Sequence, residues 1–319
     1  MAVRTALALL GGAFLLYYAT RLPLFVQLHF VHQSTLSRYR KAKGRPEESA
    51  WALVTGSTDG IGKGFAEELC ERGFNVIIHG RNQHKLEAVK TDLNKRWPNQ
   101  QVQILKLDAA KDAANAEIFS RTAANLRNFD LKVLINNLGG NGGMDVSFMP
   151  LHERTSDQIG TFINVNARFP TEMTRAVLPQ LRENGPALIV NVGSTTSDFG
   201  LPYLSIYSGC KSYNKGWSRS LTAEMKAEGA NIEVFCLLVS AVATNYVPRA
   251  ASLFAPTARQ MASYSLDKVG CGKSIVFGYW AHAVQAAFFW VLPDWLAEKM
   301  IIEVGIKERK EDEDRAKNR

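Results

Sequence analysis

The stretch "WALVTGSTDGIGKGFAEEL", residues 51–69, decides how this 319-residue chain is read. Four apolar residues and Thr55 form a short strand buried on both faces. Gly56, Gly60 and Gly62 follow, and a helix then runs through "GFAEELCERG" to Gly73. Glycines let the backbone turn tightly and approach a ligand closely, and the helix start offers free N–H groups and a positive dipole end. A turn of this kind takes a pyrophosphate. The spacing is G-x-x-x-G-x-G, and Ser57, Thr58, Asp59 and Ile61 fill it. Asp59 is placed to cap the helix.

The same alternation continues outward. "NVIIHG", "VQILKLD", "KVLINN", "ALIVNVGS" and "IEVFCLLV" read as five further strands. Helices are expected over residues 83–96, 111–127 and 157–181, and around Tyr207 and Lys211. Strand–helix alternation implies a doubly wound parallel sheet, a Rossmann fold. Ligands of such sheets bind beyond the carboxyl ends of the strands, so the chemistry belongs in the segments after them.

The second strand ends "HGRN". A carboxylate there would bond a ribose 2′-hydroxyl, whereas a basic residue favours a 2′-phosphate. Arg81 is basic and no acid occupies residues 79–82, which favours NADPH/NADP+ over NAD(H); the other reading of Arg81 is a solvated surface charge. Asp108, after the third strand, is placed to accept from the adenine amine. "NNLGG", with Asn137 and Gly139, lets backbone pass close to the adenosine.

In "YSGCK", Tyr207 stands four residues before Lys211, one helical turn away on the same face. Taken with the turn and the strand order, these residues resemble the short-chain dehydrogenase/reductase family over residues 51–245. "TGSTDGIG" fits the family's T-G-x-x-x-G-I-G, "NNLG" its N-N-x-G, and "YSGCK" its Y-x-x-x-K. Ser194 lies 13 residues before Tyr207, the family's usual interval, and Asn166 matches its helix asparagine by the distance to Pro179. One departure stands out. The family usually has P-G-x-V-x-T after the sixth strand, but here "VSAVAT" keeps only Val242 and Thr244.

The resemblance implies a division of labour in carbonyl reduction. Tyr207 is the general acid, and Ser194 holds the substrate oxygen. Lys211 favours the phenolate and binds the nicotinamide ribose. Asn166 places a water that reconnects Lys211 to solvent. A free phenol holds its proton to about pH 10, so working near neutrality requires about 4 kcal/mol of differential stabilisation. Within the family, the chain is similar to membrane-bound very-long-chain 3-oxoacyl-CoA reductases and related 17β-hydroxysteroid dehydrogenases, through "TDGIGKG", "VNARFPTEMTRAVLP", "VATN" and "YWAHA…LPDW". That similarity implies NADPH-dependent reduction of a 3-ketoacyl-CoA in fatty-acid elongation, at the endoplasmic reticulum membrane with the catalytic domain facing the cytosol. A reductase of a steroid or other lipophilic ketone is the alternative. A scaffold that has lost catalysis is a third reading.

The remainder of the chain sets the boundaries. Residues 1–49 read as an apolar anchor and basic linker. Residues 5–20 carry no charge, a second apolar run covers residues 22–31, and Arg38, Arg40, Lys41, Lys43 and Arg45 follow without an acid. Such a basic flank marks the cytoplasmic side. Residues 50–275 form one catalytic domain, with a substrate lid at about 245–270. In that lid, Arg249, Arg259 and Lys268 either face the phosphates of a CoA carrier or are ordinary surface charges. Residues 276–319 hold an apolar helix and a charged tail. The apolar run 281–292 packs on the core, lines a homodimer interface, or lies at a membrane surface with Trp280, Trp290 and Trp295. The tail after Lys307 reads as solvated. The net charge of +8 is concentrated beside the anchor, where anionic lipid accounts for it and nucleic acid is not called for. Four scattered cysteines suggest reduced thiols, and the histidines show no metal-ligand spacing.

Overall fold

Apolar runs too short for helices lie between amphipathic stretches long enough to cover them, and the result is one sheet clothed on both faces. In a computed structural model, residues 2–245 and 248–317 are described, except for the side chains of Pro46 and of part of the first helix. The chain opens with α1 (Ala2–Val26), a π-helical turn (Gln27–Val31) and a hairpin of β1 (Lys41–Ala42) and β2 (Arg45–Ser49). The first half of the main fold is β3 (Trp51–Val54), α2 (Gly60–Glu71), β4 (Asn75–Gly80), α3 (Gln83–Arg96), β5 (Val102–Lys106), α4 (Ala109–Asp112) and α5 (Ala116–Leu126). Next come β6 (Leu131–Asn136), α6 (Ser156–Ile163), α7 (Phe169–Asn184), β7 (Ala187–Val192), α8 (Thr196–Phe199), α9 (Ser205–Ala227) and β8 (Ile232–Leu238). The chain closes with α10 (Ala258–Leu266), β9 (Ile275–Phe277), α11 (Trp280–Val291) and α12 (Asp294–Lys317).

Seven parallel strands run in the order β5-β4-β3-β6-β7-β8-β9. The order reverses between β3 and β6, and the crevice there is where this architecture binds ligands. Alternate side chains feed two cores. Ala52, Val54, Leu188 and Val190 pack with Phe65, Leu69 and Met261 on one face. Leu53, Ile189, Phe169, Met173 and Leu221 pack on the other. Fully burying each of these larger side chains contributes about 1.5–3 kcal/mol, and Ala52 less.

The structure departs from the sequence reading in several places. A seventh strand, β9, joins the sheet; three residues are too few to carry a periodicity. The helix expected over 111–127 is two, because the Asn115 side chain accepts the Glu117 and Ile118 N–H groups and starts a new one. The helix expected over 157–181 is interrupted by a π-helical turn, Asn164–Arg168. Pro170, just beyond, has no N–H to return to the Asn166 carbonyl. The basic linker is folded onto the domain: Leu36 and Tyr39 are buried, and the Tyr39 hydroxyl donates to Glu233 at 2.7 Å.

The tail is solvated on one side only: Lys307, Lys310, Glu311, Asp314 and Lys317 are exposed. α12 continues through it, with Gly305 packed on Pro202 and Asp312 buried. In α11, Ala281, His282 and Ala286 are buried while Phe288 and Trp290 are exposed, as is Trp295 at the start of α12. Among the described residues no helix is long and apolar enough to cross a membrane, so the span expected near the N-terminus is not found.

Candidate active site

The glycine turn is held from below. The Gly56 N–H donates to His79 Nδ1 at 3.1 Å, and the Ser57 N–H to the His79 carbonyl at 3.0 Å. Ser57 Oγ accepts the His79 N–H at 2.8 Å. Burial pushes the His79 imidazole down to about 4, so it stays neutral and able to accept. Just after β6, Asn137 donates its side-chain N–H to the Thr55 and Gly56 carbonyls at 3.0 and 3.2 Å. A Cβ on Gly62 would lie 2.1 Å from the Gly56 carbonyl oxygen, so only glycine lets α2 start this close to the turn. Asp59 caps α2 by accepting the Gly60 N–H at 2.7 Å.

These constraints shape a cleft of about 590 Å³. Gly56, Thr58, Asp59, Gly60 and Ile61 line it. Arg81, Asp108, Asn137, Gly139, Val242 and Thr244 line it as well. Ser57 and Gly62 do not. Both are buried supports of the turn. Arg81 reaches across the cleft and donates to the Gly142 carbonyl at 2.8 Å.

Tyr207 and Lys211 both face this cleft from α9. The Lys211 ammonium is buried, donates to the Val192 carbonyl at 2.8 Å, and stands 5.6 Å from the centroid of the Tyr207 ring. Burial lowers it to about 8, the direction expected of a cation taken from water. Asn166 lies behind the cleft with no exposure. Its Oδ1 accepts the Gly140 N–H at 2.9 Å, its Nδ2 donates to the Gly140 carbonyl at 2.7 Å, and its own carbonyl accepts from Asn214 at 2.8 Å. These contacts hold the Gly139–Gly140 backbone against Lys211. Pro170 is what leaves that carbonyl free for Asn214.

A second cavity of about 480 Å³ adjoins the first. Ser194, Tyr207, Ser240 and Val242 line both, so they form the wall between them. Ser194 Oγ is fixed by the Thr196 N–H at 3.2 Å and the Thr196 hydroxyl at 3.0 Å. The far wall is Phe148, Phe162, Leu204 and Phe289, closed by Ile301 and Val304 of α12.

Of the lid expected at 245–270, residues 246 and 247 lie outside the described residues, and among the rest Arg249 lines the cavity, while α11 and α12 supply most of that wall. Two of the expected lid's three cations are placed elsewhere. Arg259 pairs with Glu68 at 2.8 Å on the outer face of α2, and Lys268 caps the turn after α1 by donating to the Leu28 carbonyl at 3.1 Å. Arg249 does reach the cavity, already paired with Glu308 at 3.2 Å. Sequence reading missed the wall formed by α12, because "KERKEDEDR" carries the charge pattern of a solvated helix. The support from His79 was missed as well, although the residue stands beside Arg81 at the strand end.

A glycine turn at a helix start, over the crevice where strand order reverses, fits the pyrophosphate and riboses of a nicotinamide dinucleotide. With a phenol, a hydroxyl and a buried ammonium at its inner end, it defines a dinucleotide-dependent oxidoreductase of the doubly wound α/β class. The chain belongs to the short chain dehydrogenase family, whose sequence pattern matches residues 50–252. It is similar to a very-long-chain 3-oxoacyl-CoA reductase of Neurospora crassa, 32% identical over 89% of this chain and 83% of that one. It is similar also to hydroxysteroid dehydrogenase-like protein 1 of Gallus gallus, 32% identical over 77% of this chain and 73% of that one. A solved short-chain dehydrogenase from Sphingobium yanoikuyae, in complex with NADPH, shares the fold with a TM-score of 0.60 at 21% identity, over 76% of this chain and 96% of that one. The protein is thus an oxidoreductase acting on CH–OH/C=O groups.

Proposed function

We propose that the protein reduces the ketone of a 3-oxoacyl-CoA with NADPH, as in the elongation of very long fatty acids. One observation carries the reading: Ser194 and Tyr207 stand in the wall shared by a dinucleotide-sized cleft and an apolar cavity. A carbonyl at that wall meets both hydroxyls. NADPH, when bound, supplies the hydride.

Ser194 holds the carbonyl oxygen, and Tyr207 gives it the proton. Lys211, one turn along, favours the phenolate that results and binds the nicotinamide ribose. Its burial strengthens the field it exerts, because little water screens it. Asn166 keeps Gly139–Gly140 packed on the ammonium. Thr58, Asp59, Gly60 and Ile61 hold the pyrophosphate end, Arg81 the 2′-phosphate, Asp108 the adenine, and Val242 and Thr244 the nicotinamide amide.

The apolar cavity wall suits an acyl chain, and the name of the Neurospora relative supports the acyl-CoA class. A lipophilic ketone without a CoA carrier is the second reading. The cavity's two cations, Arg249 and Arg315, are each paired with an acid of α12, which leaves no surplus charge for a carrier's phosphates. We further infer a location at the endoplasmic reticulum membrane, facing the cytosol. The uncharged run 5–20, the basic residues after it and the exposed Phe288, Trp290 and Trp295 support that reading. Elongation enzymes and a second copy of the chain are further candidate partners.

The test is turnover of NADPH and NADH by the purified chain with 3-oxoacyl-CoAs of graded length and with steroid ketones. Reduction of the acyl-CoAs, lost by about 10²–10⁴-fold in Tyr207→Phe, is expected. Undiminished turnover in that variant would remove the phenol from the reaction. Turnover confined to steroids would establish the second reading.

A further inference from the structure

The chain leaves β8 through Val239, Ser240 and Ala241 before reaching Val242 and Thr244. This is where "VSAVAT" departs from the P-G-x-V-x-T of the family it resembles. A proline there would limit the backbone through its ring and remove an N–H. Val239 stands in that proline's place and imposes no ring, and Ser240, in the glycine's place, carries an N–H that needs a partner in a buried setting. Yet the segment cannot be loose, because Ser240 and Val242 form part of the wall between the cleft and the apolar cavity.

The compensation comes from α11. His282 has no exposure to solvent. Its Nδ1 faces the Ser240 N–H at 3.3 Å and its Nε2 the Ala241 carbonyl at 3.0 Å. A backbone N–H can only donate, so Nδ1 accepts. The hydrogen is then on Nε2, which donates to the carbonyl. One neutral ring thereby satisfies the donor and acceptor of two successive peptide groups. Burial lowers the His282 pKa, in keeping with that neutral form. One turn along the same face, Gln285 Oε1 accepts the Ser240 hydroxyl at 3.1 Å. The Tyr279 ring meets the imidazole edge-on at 5.3 Å and limits its rotation. On the far side of the segment, the Ala243 N–H donates to the Pro256 carbonyl at 2.9 Å.

We propose that His282, assisted by Gln285, is a positioning residue that latches the Ser240–Ala241 backbone and so fixes the wall against which the nicotinamide end of the cofactor and the substrate carbonyl are held. Two hydrogen bonds from α11 do here what a proline ring does by covalent restraint. α11 thereby acquires a second task besides lining the apolar cavity: it couples that cavity to the cofactor cleft through one imidazole. This inference rests on the reading of the cleft as a dinucleotide site.

The experiment compares the full-length wild type with His282→Ala, His282→Gln and Gln285→Ala by two readouts. The first is amide hydrogen exchange in the unliganded protein. Residues 239–244 are expected to exchange at least about tenfold faster in His282→Ala, and His282→Gln, whose amide can both accept and donate, is expected to restore much of the protection. The second is binding of NADPH, followed by nicotinamide fluorescence, against binding of 2′,5′-ADP, which lacks the nicotinamide. His282→Ala is expected to weaken NADPH about tenfold while leaving 2′,5′-ADP within about twofold.

Unchanged exchange at 239–244, or equal weakening of both ligands, would overturn the latch. A wild type that binds neither ligand would refute the cofactor reading, and the exchange measurement would still decide the latch. Should His282→Ala not fold, Gln285→Ala must show the same pattern at smaller amplitude, and its absence would count against the proposal.

Discussion

The buried Asp312 carboxylate accepts the backbone N–H of Ser147 at 2.6 Å, and the Phe148 N–H at 3.0 Å. It joins the last helix to the loop that follows β6, across the mouth of the apolar cavity. Removing it strands the buried Phe148 N–H, at a cost of about 1–3 kcal/mol, and the part-buried Ser147 N–H as well. Asp312→Ala is therefore expected to free α12 without disturbing the glycine turn. KM for the carbonyl substrate should rise about tenfold or more, NADPH affinity should hold within about twofold, and α12 should become sensitive to limited proteolysis. An unchanged KM would show that α12 is not the wall that substrate meets.

Arg81 donates to the Gly142 carbonyl, so part of its hydrogen-bonding capacity is already used within the chain. The side chain lines the cleft with its guanidinium against Gly142 and Gly143, and a 2′-phosphate held there would gain charge-assisted bonds worth about 1.5–3 kcal/mol. Arg81→Ala should accordingly cut the preference for NADPH over NADH by about 10–100-fold, read as the ratio of the two kcat/KM values. An unaltered ratio would remove Arg81 from cofactor choice.

His79 makes the glycine turn sensitive to acid. Burial lowers its pKa from 6.5 to about 4. Between those values the unfolded chain binds a proton that the folded chain does not, so stability falls as pH drops below 6.5 and goes on falling to about 4. From pH 7 to pH 5 the loss is about 2 kcal/mol for this one group. Denaturation curves of wild type and His79→Asn at the two pH values should differ by that increment, with the variant less acid-sensitive. Parallel curves would mean that His79 is protonated in the fold.

How far the sequence was legible follows from where each signal lies. Strands β3 to β8, the glycine turn and the Tyr207–Lys211 pair are local patterns, so residue types and spacing suffice to find them. Ser57 and Gly62 belong to that pattern too, but whether a residue lines a turn or supports it depends on what lies beneath, and His79 is contributed from another strand. The wall formed by α12 was invisible for a similar reason. Asp312 sits among acids and bases that look solvated, and only the folded chain brings it to Ser147. The π-helical turn at Asn164–Arg168 leaves the apolar spacing of 157–181 almost unchanged, although Pro170 marks where the backbone bonding must shift.

Lys211 gives the most discriminating test, because its two pH effects run in opposite directions. Its burial beside Val192 lowers the ammonium from 10.5 to about 8. The protonated form is the one that favours a Tyr207 phenolate, so kcat/KM, which reports groups of the free enzyme, is expected to fall as pH rises through about 8. Stability behaves otherwise. Between 8 and 10.5 the unfolded chain keeps a proton that the folded chain has released, so this residue's contribution becomes more favourable with rising pH. It amounts to about 3 kcal/mol once 10.5 is passed. The difference in unfolding free energy between wild type and Lys211→Met, measured from pH 7 to 10, should therefore climb in favour of the wild type while wild-type kcat/KM declines. A rate profile that stays flat to pH 10, with no such climb, would place a fully stabilised ammonium at the site and contradict the energetic cost of burying it there.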